Sequence, residues 1–412
     1  MPPRTIVIAG GGFGGMACAQ ALAGAPCRVV LVDRRNYHLF QPLLYQVATA
    51  ALSPAEIATP LRHVLARCRN VEVRLGEVVG VDLGERRLRI RDQPDLAWDV
   101  LVLATGGAYS WFGHDDWQAL APGLKTLADA RAIRAKLLSA FELAEIETDP
   151  SMRRRLMSCV VVGGGPTGVE MAGAVAELAR WTLRRDFRNI DPREAQVLLV
   201  EAGPRILAGF PERLSAYALK ALGRLGVAAL VGRAVTEVNA EGVRLGDEQI
   251  EASTVLWAAG IAASPAGRWL DVEIDRAGRI PVLADLSVAG IEGVYALGDT
   301  ACTEGQDGRA LPALAQVAQQ QGHHLGRALK RQILTGQSPP PFRFRNRGNT
   351  AVIGRHAAVF DFGQLRFTGH AAWLLWGLVH IYLLVGFESR VMVSLQWLWS
   401  YFTRERGARL IE

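Results

Sequence analysis

The chain has 412 residues, of which 50% are hydrophobic and 21% are charged, and its formal net charge is +6 with a pI near 9.3. This length is too great for one hydrophobic core and predicts two or three domains, and the composition excludes a disordered chain. Basic residues form no run interleaved with aromatic ones, so the charge favours an anionic membrane surface and argues against nucleic acid as a partner.

The first predicted elements, in residues 6–33, are a strand, a glycine turn, a helix and a second strand. Gly10, Gly12 and Gly15 have G-x-G-x-x-G spacing, which allows a tight turn, close approach of the backbone to a pyrophosphate, and close packing of the helix on the strand. Asp33 ends the second strand, where a carboxylate can accept hydrogen bonds from a ribose. The unit therefore predicts a dinucleotide site and not a merely structural turn. Its predicted cofactor-binding residues are Gly10, Gly12, Phe13, Gly14, Gly15, Asp33 and Arg34.

Residues 158–178 repeat this unit. Three glycines again follow an apolar strand at the same spacing, and a further apolar run, 196–200, ends in Glu201. The run 254–260 closes with small residues, as is needed where backbone passes under a cofactor. Two complete dinucleotide folds imply two nucleotides held face to face, as electron transfer between a nicotinamide and a flavin requires. The second set of cofactor-binding residues is Gly163, Gly165, Gly168, Glu201, Ala259 and Gly260.

Two further apolar runs, 99–107 and 293–299, end in the sequences ATGG and GD. With the paired glycine motifs they resemble the two-dinucleotide-binding flavoprotein superfamily, an α/β architecture with two Rossmann-like domains. The resemblance implies that Thr105 and Gly106 close the first pass of the flavin domain and that Asp299 holds the ribityl chain of FAD. The resemblance implies an FAD domain made of residues 1–112 and 272–337 and an NADH domain made of residues 113–271. A C-terminal segment, 338–412, begins with the SPPP linker.

The chain's helices include a predicted one at 127–146 and two near the end of the sequence. Residues 371–387 are apolar but number only 17, whereas a membrane span needs about 20. Four of the ten tryptophans lie in residues 371–412, and basic residues occur there at Arg404, Arg406 and Arg409. Aromatic residues beside basic ones favour helices lying in a membrane interface, with burial, a homodimer interface or a true span as alternatives.

The segment 36–51 follows the first acidic strand end and contains no cysteine. Disulfide reductases of this superfamily carry a redox cysteine pair soon after the first motif, so a cysteine relay is disfavoured here. Phe40, Leu43, Leu44 and Tyr45 are instead expected to form an apolar wall for a lipophilic acceptor. The five cysteines form no ligand spacing, and together with the absence of a signal-peptide pattern they indicate a protein kept inside the cell.

Four blocks, HLFQPLLYQVAT, GGGPTGVEMAGAVAEL, AQVAQQ and WSYFTRERGARLI, together resemble type II NADH dehydrogenases, the single-subunit NADH:quinone oxidoreductases. The resemblance implies that Gln316 and Gln320 line the quinone pocket, and their i, i+4 spacing places both amides on one helix face. It implies a positioning or proton-supply role for Glu170. One departure is Glu388 in GFESR, where family members often carry a basic residue, and this change is expected to weaken membrane docking.

The sequence thus predicts a peripheral enzyme on the cytoplasmic face of the membrane that passes a hydride from NADH to FAD and two electrons to a quinone, without proton pumping. A sulfide:quinone oxidoreductase is the alternative enzyme and would need two cysteines beside the flavin, for which only Cys159 and Cys302 lie near suitable elements. A flavoprotein that senses NADH through partner binding is the non-enzymatic alternative. His38, His323 and His324 lack further ligands, so no metal site is expected.

Overall fold

The computed structural model describes residues 3–411 as strands and helices joined by short loops. The strands are β1 Thr5–Ala9, β2 Arg28–Asp33, β3 Tyr37–Leu39, β4 Ala58–Pro60, β5 Val71–Leu75, β6 Val78–Asp82, β7 Arg87–Ile90, β8 Leu96–Ala97, β9 Val100–Leu103, β10 Gly107–Tyr109, β11 Ser158–Val162, β12 Gln196–Glu201, β13 Val227–Val231, β14 Glu237–Asn239, β15 Gly242–Leu245, β16 Glu248–Glu251, β17 Thr254–Trp257, β18 Ile261–Ala263, β19 Ile280–Pro281, β20 Val294–Ala296, β21 Ala301–Cys302, β22 Asn349–Gly354, β23 Ala357–Phe362 and β24 Leu365–Thr368. The α-helices are α1 Phe13–Ala21, α2 Leu44–Ala48, α3 Pro54–Ile57, α4 Leu61–Val64, α5 Leu127–Ile146, α6 Pro150–Leu156, α7 Pro166–Glu177, α8 Glu212–Arg224, α9 Ala266–Trp269, α10 Ala315–Thr335, α11 Gly369–Leu383 and α12 Phe387–Thr403.

The chain forms two compact units. The first contains the described residues through Leu39 together with Ala58–Ala108 and Ile261–Arg347, and the second contains Phe40–Ile57, Tyr109–Gly260 and the described residues from Gly348 onward. The predicted domain boundaries near 112 and 271 lie close to the observed changes of unit at 108 and 261. The assignment of one nucleotide to each domain stays a prediction.

The first unit is built on a parallel sheet of order β20-β9-β1-β2-β5. The central strand β1 is apolar along its length and buried, as expected for a strand covered by helices on both faces. Helix α1 leaves β1 through the glycine turn and packs along α10. This confirms the strand–turn–helix–strand unit predicted for residues 6–33.

The second unit repeats this arrangement in a parallel sheet of order β13-β12-β11-β17. Its central strand β11 is buried throughout and pairs with β12 and β17 in parallel register. Helix α5 lies at the predicted positions and begins with a capping box, in which Thr126 and Asp129 satisfy each other's backbone N–H groups. The predicted internal repeat is therefore a repeat of three-dimensional structure as well.

The C-terminal residues belong to the second unit, whereas the sequence predicts a separate segment from residue 338. Strand β22 packs on α7, and β23 packs on α8 and α11, so the antiparallel sheet β22-β23-β24 shares the core of the second unit. The approach of β22 is close because a Cβ on Gly173 of α7 would lie 1.8 Å from the carbonyl oxygen of Ile353. Phe40–Ile57 joins the same unit because α2 packs on α5 and α7.

The two glycine motifs place their helices against their strands by the same contact. A Cβ on Gly15 would lie 1.8 Å from the carbonyl oxygen of Gly10, and a Cβ on Gly168 would lie 1.8 Å from that of Gly163. Gly10 and Gly163 themselves have φ values of +107° and +109°. No other residue type fits these positions without moving the helix away from the sheet.

We expect Gly168→Ala to lower the free energy of unfolding by about 1–3 kcal/mol or more. The new methyl group would overlap the carbonyl of Gly163, and this backbone cannot move without its neighbours. The matched control is Gly223→Ala near the end of α8, where a Cβ meets nothing within 4 Å. That substitution should stabilise the protein by about 0.5–1 kcal/mol through helix propensity. Chemical denaturation of both variants measures the difference, and equal stabilities would contradict the assigned contact.

Candidate functional site

In the first glycine motif, Asp33 organises the turn. Its Oδ2 accepts a 2.6 Å hydrogen bond from the Gly11 N–H, and its Oδ1 accepts a 2.7 Å bond from the Arg35 N–H. The Gly10 N–H donates to the carbonyl of Val32 at 2.7 Å. The carboxylate is thereby held at the carboxyl end of β2, and its remaining lone pairs can accept hydrogen bonds from a ribose.

In the second motif, Glu201 has the same position and the same bonds. Its Oε2 accepts from the Gly164 N–H and its Oε1 from the Gly203 N–H, each at 2.6 Å. The predicted residues Ala259 and Gly260 follow β17, and the backbone of Ala259 lies directly beneath Gly163. Gly260 has a φ of +71°, and the passage of these small residues under a cofactor stays a prediction.

Both motifs leave open space where the sequence predicts a phosphate. A Cβ on Gly12 or on Gly165 would meet nothing within 4 Å, although the neighbouring glycines are tightly packed. Each of these two residues precedes the first turn of a helix, α1 or α7. Free backbone N–H groups at a helix N-terminus with no side chain in front of them suit an anionic group.

Hydroxyl groups cluster at the end of β9 in the first unit. Thr105 Oγ1 lies 2.5 Å from Ser264 Oγ, and Thr300 Oγ1 accepts a 2.9 Å bond from the Gly106 N–H. These contacts join the predicted ATG residues to the loop that carries Asp299. Sequence reasoning missed Ser264 and Thr300, which have no motif of their own.

Gln321 is another residue that the sequence analysis did not select. It is buried, its Oε1 accepts from the Gly298 N–H at 2.7 Å, and its Nε2 donates to Thr303 Oγ1 at 2.8 Å. The amide therefore fixes the loop on both sides of Asp299. The only signal in the sequence is its position beside the predicted pair in AQVAQQQ.

The predicted quinone ligands Gln316 and Gln320 bond to backbone within the first unit. Gln320 donates to the carbonyl of Arg345 at 2.9 Å and accepts from its N–H at 3.1 Å, and Gln316 Oε1 accepts from the Arg347 N–H at 3.0 Å. Both amides lie on one face of α10, as predicted, and brace the chain that follows this helix. Their role toward a quinone stays a prediction.

A cavity of about 590 Å³ lies in the second unit. Aromatic and aliphatic side chains of α11 and α12 form one part of its wall, and polar groups of α2, α7 and the β22–β23 turn form another. Its size and mainly apolar lining are typical of small-molecule sites. Of the predicted apolar wall, Tyr45 lines this cavity, while Phe40, Leu43 and Leu44 are buried in the core.

Glu170, predicted from the second motif, lies deep in the unit and lines the cavity. Its Oε1 accepts a 3.3 Å hydrogen bond from the Val352 N–H. Burial raises the pKa of its carboxyl from 4.5 to about 8, against the lowering effect of that bond. The side chain is therefore protonated at neutral pH and presents a neutral acid to the cavity.

Arg406 lies inside the same unit, whereas the sequence analysis places it among the basic residues of a membrane face. Its guanidinium donates to the carbonyls of Thr49 at 2.8 Å and Ala174 at 3.2 Å, and to Glu177 Oε2 at 3.3 Å. The expectation for this residue was wrong, because a buried carboxylate at Glu177 provides it with a partner. Arg409 likewise pairs with Asp186.

A family model described as pyridine nucleotide-disulphide oxidoreductase matches residues 4–322. The chain is 40% identical over 423 residues to the type II NADH:quinone oxidoreductase Ndh of Mycobacterium tuberculosis, covering 98% of this chain and 90% of that protein. The chain belongs to the type II NADH:quinone oxidoreductases. It is also 32% identical to the demethylphylloquinone reductase NdbB of Synechocystis sp., over 96% of each chain.

The fold is shared with a solved type II enzyme. NDH2 from Plasmodium falciparum, determined in complex with NADH, superposes with a TM-score of 0.90 over 100% of both chains at 20% identity. The sulfide:quinone oxidoreductase of Aquifex aeolicus gives a TM-score of 0.73 at 17% identity, over 94% of this chain and 91% of that one. At these identities both comparisons show a common fold and no more.

As a type II NADH:quinone oxidoreductase, the chain has residues that fit FAD in the first unit. His38 is buried with its Nδ1 3.3 Å from the Gly11 carbonyl oxygen, and among the described residues its Nε2 has no partner. Phe13 packs edge-on against this imidazole at 5.0 Å. The open space at Gly12 and the carboxylate of Asp33 are the features of this unit that fit a dinucleotide. The predicted Arg34 is exposed at the end of β2, and Gly14 packs against Leu297.

The cysteines of this type II enzyme do not support sulfide chemistry. Cys159 is buried in β11, and burial raises the pKa of its thiol to about 12. A thiolate, the reactive form, is thereby disfavoured. Within residues 3–411, no group of three or more potential ligands is placed to hold a metal ion.

Proposed function

We propose that this chain is an FAD-dependent enzyme that oxidises NADH and reduces a quinone at a membrane surface. The observation that carries the proposal is the repeated dinucleotide fold, in which each motif ends in an acid held at the carboxyl end of its second strand. Relatives that align over nearly the whole chain are named NADH:quinone oxidoreductases. Bound FAD supplies the two-electron chemistry that connects a hydride donor with a quinone.

The second motif contributes nucleotide selection. Glu201 is oriented by two backbone N–H groups, so its carboxylate is available to the 2′-hydroxyl of NADH and repels a 2′-phosphate. Arg205 lies nearby, but its guanidinium is not free to bind a 2′-phosphate. Its Nη atoms donate to the carbonyls of Phe210 and Ala208, each at 2.7 Å. We expect NADH to be preferred.

The cavity of the second unit suits the quinone. Its lining is apolar and aromatic, and Glu170 holds a proton there at neutral pH, where reduction of a quinone consumes two protons. The named relatives act on different quinones, including ubiquinone and demethylphylloquinone. The quinone class is therefore proposed without a choice of head group.

The outer faces of α11 and α12 suit a membrane surface. These helices expose an apolar stripe of large side chains, namely Leu374, Leu378, Tyr382, Leu383, Phe387, Val391, Met392, Leu395, Leu398, Trp399 and Phe402. Leu374 and Leu378 also line the cavity. None of the helices in the described part of the chain is long and apolar enough to cross a bilayer. The exposed apolar stripe supports our proposal of peripheral attachment by these two helices, on the cytoplasmic face where NADH is present. A homodimer through the same stripe is the alternative outcome of the test below.

Purified holoenzyme should oxidise NADH only when an acceptor such as menadione is added, with one NADH consumed per quinone reduced. The ratio of kcat/KM values for NADH and NADPH should exceed ten and should shrink in Glu201→Gln, since the variant loses the charge that repels the 2′-phosphate. Glu212→Gln, on the surface of α8, is the control. Rapid flavin reduction without any quinone turnover would contradict the proposal and support an NADH sensor.

The quinone step should slow as pH rises through about 8, because Glu170 then loses its proton. Glu170→Gln should flatten this limb, while the exposed Glu142→Gln should keep it. Stopped-flow reoxidation of NADH-reduced enzyme by menadione measures the profile. In the unfolded chain the carboxyl of Glu170 loses its proton near pH 4.5, whereas in the folded protein its pKa is about 8. The contribution of Glu170 to the free energy of unfolding is therefore lost as pH rises from 4.5 towards 8. An unchanged pH limb in Glu170→Gln would exclude Glu170 from the step.

Leu395→Glu and Leu398→Glu should each release the protein from liposomes at least severalfold, because a charge in the apolar stripe opposes insertion. Leu334→Glu is the matched control, an exposed leucine at the end of α10. Flotation with anionic vesicles at low and high salt measures binding. Full flotation of the two helix variants would contradict membrane attachment through this stripe, and loss of a dimer in the same variants would assign the stripe to self-association.

A further inference from the structure

The surface of the cavity in the second unit is mainly apolar, and several of the polar side chains that line it are already paired. Glu177 accepts from the Arg355 N–H and from Arg406, and the Thr49 hydroxyl donates to the carbonyl of Tyr45 at 2.9 Å. A ligand in the cavity can therefore form new hydrogen bonds only with groups that retain a free donor or acceptor.

The Gln46 amide has an orientation that its partner Trp397 determines. The indole Nε1 of Trp397 lies 2.8 Å from Gln46 Oε1, and an indole nitrogen can only donate. The oxygen of the amide must therefore face Trp397, which leaves its NH₂ group on the opposite side. This contact joins α12 to α2 across 351 residues of sequence.

The amide NH₂ of Gln46 donates to the hydroxyl oxygen of Tyr45 at 3.0 Å. Since Tyr45 accepts in this bond, its own hydroxyl hydrogen must point elsewhere. No acceptor among residues 3–411 is paired with that hydrogen. Tyr45 is only 5% exposed and is one of the residues that line the cavity, so a ligand in the cavity is the partner that this free donor can reach.

The electrostatic surroundings keep this hydroxyl in its donor form. Burial and the nearby carboxyls of Glu170 and Glu177 raise the pKa of Tyr45 well above 10, against the effects of Gln46 and Arg406. Glu170, protonated at neutral pH, and the indole Nε1 of Trp376, which is unpaired within residues 3–411, are further hydrogen-bond donors among the residues that line the cavity. A ligand that accepts hydrogen bonds is thus favoured over one that donates them.

We propose that the Tyr45 hydroxyl donates a hydrogen bond to a carbonyl oxygen of the quinone, and that Gln46, oriented by Trp397, is the positioning residue that directs this hydroxyl into the cavity. The proposal rests on the function proposed above, because it takes the quinone as the occupant of the cavity. It assigns no proton transfer to Tyr45, which orients the acceptor while the hydroxyl stays intact.

The experiment compares Tyr45→Phe and Gln46→Glu with wild-type holoenzyme, using menadione as the quinone. Tyr45→Phe removes only the hydroxyl and should raise KM for menadione about tenfold, the worth of one hydrogen bond, while anaerobic flavin reduction by NADH stays unchanged. Gln46→Glu keeps an acceptor for Trp397 and, once its carboxyl is ionised, places a second acceptor against Tyr45, which draws the hydroxyl hydrogen away from the cavity. It should raise KM to a similar extent in the pH range where the introduced carboxyl is ionised.

The double variant distinguishes positioning from general damage. If Gln46 acts only through Tyr45, then Gln46→Glu should add nothing to KM in the Tyr45→Phe background. Tyr217→Phe on α8, outside the cavity lining, is the control for loss of a tyrosine hydroxyl. Flavin absorbance and thermal unfolding of each variant establish that it is folded and loaded.

An unchanged KM for menadione in Tyr45→Phe overturns the role of the hydroxyl. Additive effects of the two substitutions, or a normal KM in Gln46→Glu, overturn the positioning role of Gln46. Failure of the function itself gives a different result, because wild-type holoenzyme would then not reduce menadione at all.

Discussion

The structure depends on the contact between a helix and the turn that precedes it, made where neither side has a Cβ. At Gly15 and again at Gly168, the helix lies so close to the carbonyl of the turn that one methyl group would overlap it. This contact fixes the first turn of α1 and of α7 beside the open space at Gly12 and Gly165. The strand order around it is the same in both sheets, so the same strand–turn–helix unit arises twice from one local constraint.

In the second unit, helix α7 carries functional groups on faces other than the one that packs on the sheet. Gly168 packs on the sheet, Gly173 admits β22, and Glu170 and Glu177 are held in the interior. Burying two carboxyls is costly unless they are paired or protonated. The protein uses both solutions, with Arg406 beside Glu177 and a proton on Glu170.

The outer and inner faces of helices α11 and α12 have different roles. Their outer faces expose an apolar stripe, while their inner faces stack Trp376 on Trp397 at 5.1 Å and hold the amide of Gln46. A change that moves these helices would therefore alter the cavity wall as well as the outer surface. The final residues strengthen this arrangement, because Arg406 ties the end of the chain to α2 and α7.

The sequence by itself determined the two dinucleotide folds, the position of the acids Asp33 and Glu201 at the ends of their strands, and the helix α5. It also singled out Glu170 as a candidate functional residue. These are properties of short segments, since glycine spacing, apolar runs and terminal acids act within one strand–turn–helix unit and can be recognised there. Only the tertiary structure decided that Arg406 is buried, that Gln321 braces the Asp299 loop, and that Trp397 orients Gln46. Those pairings join residues far apart in the chain, and packing selects them from many polar side chains that have no distinguishing local pattern.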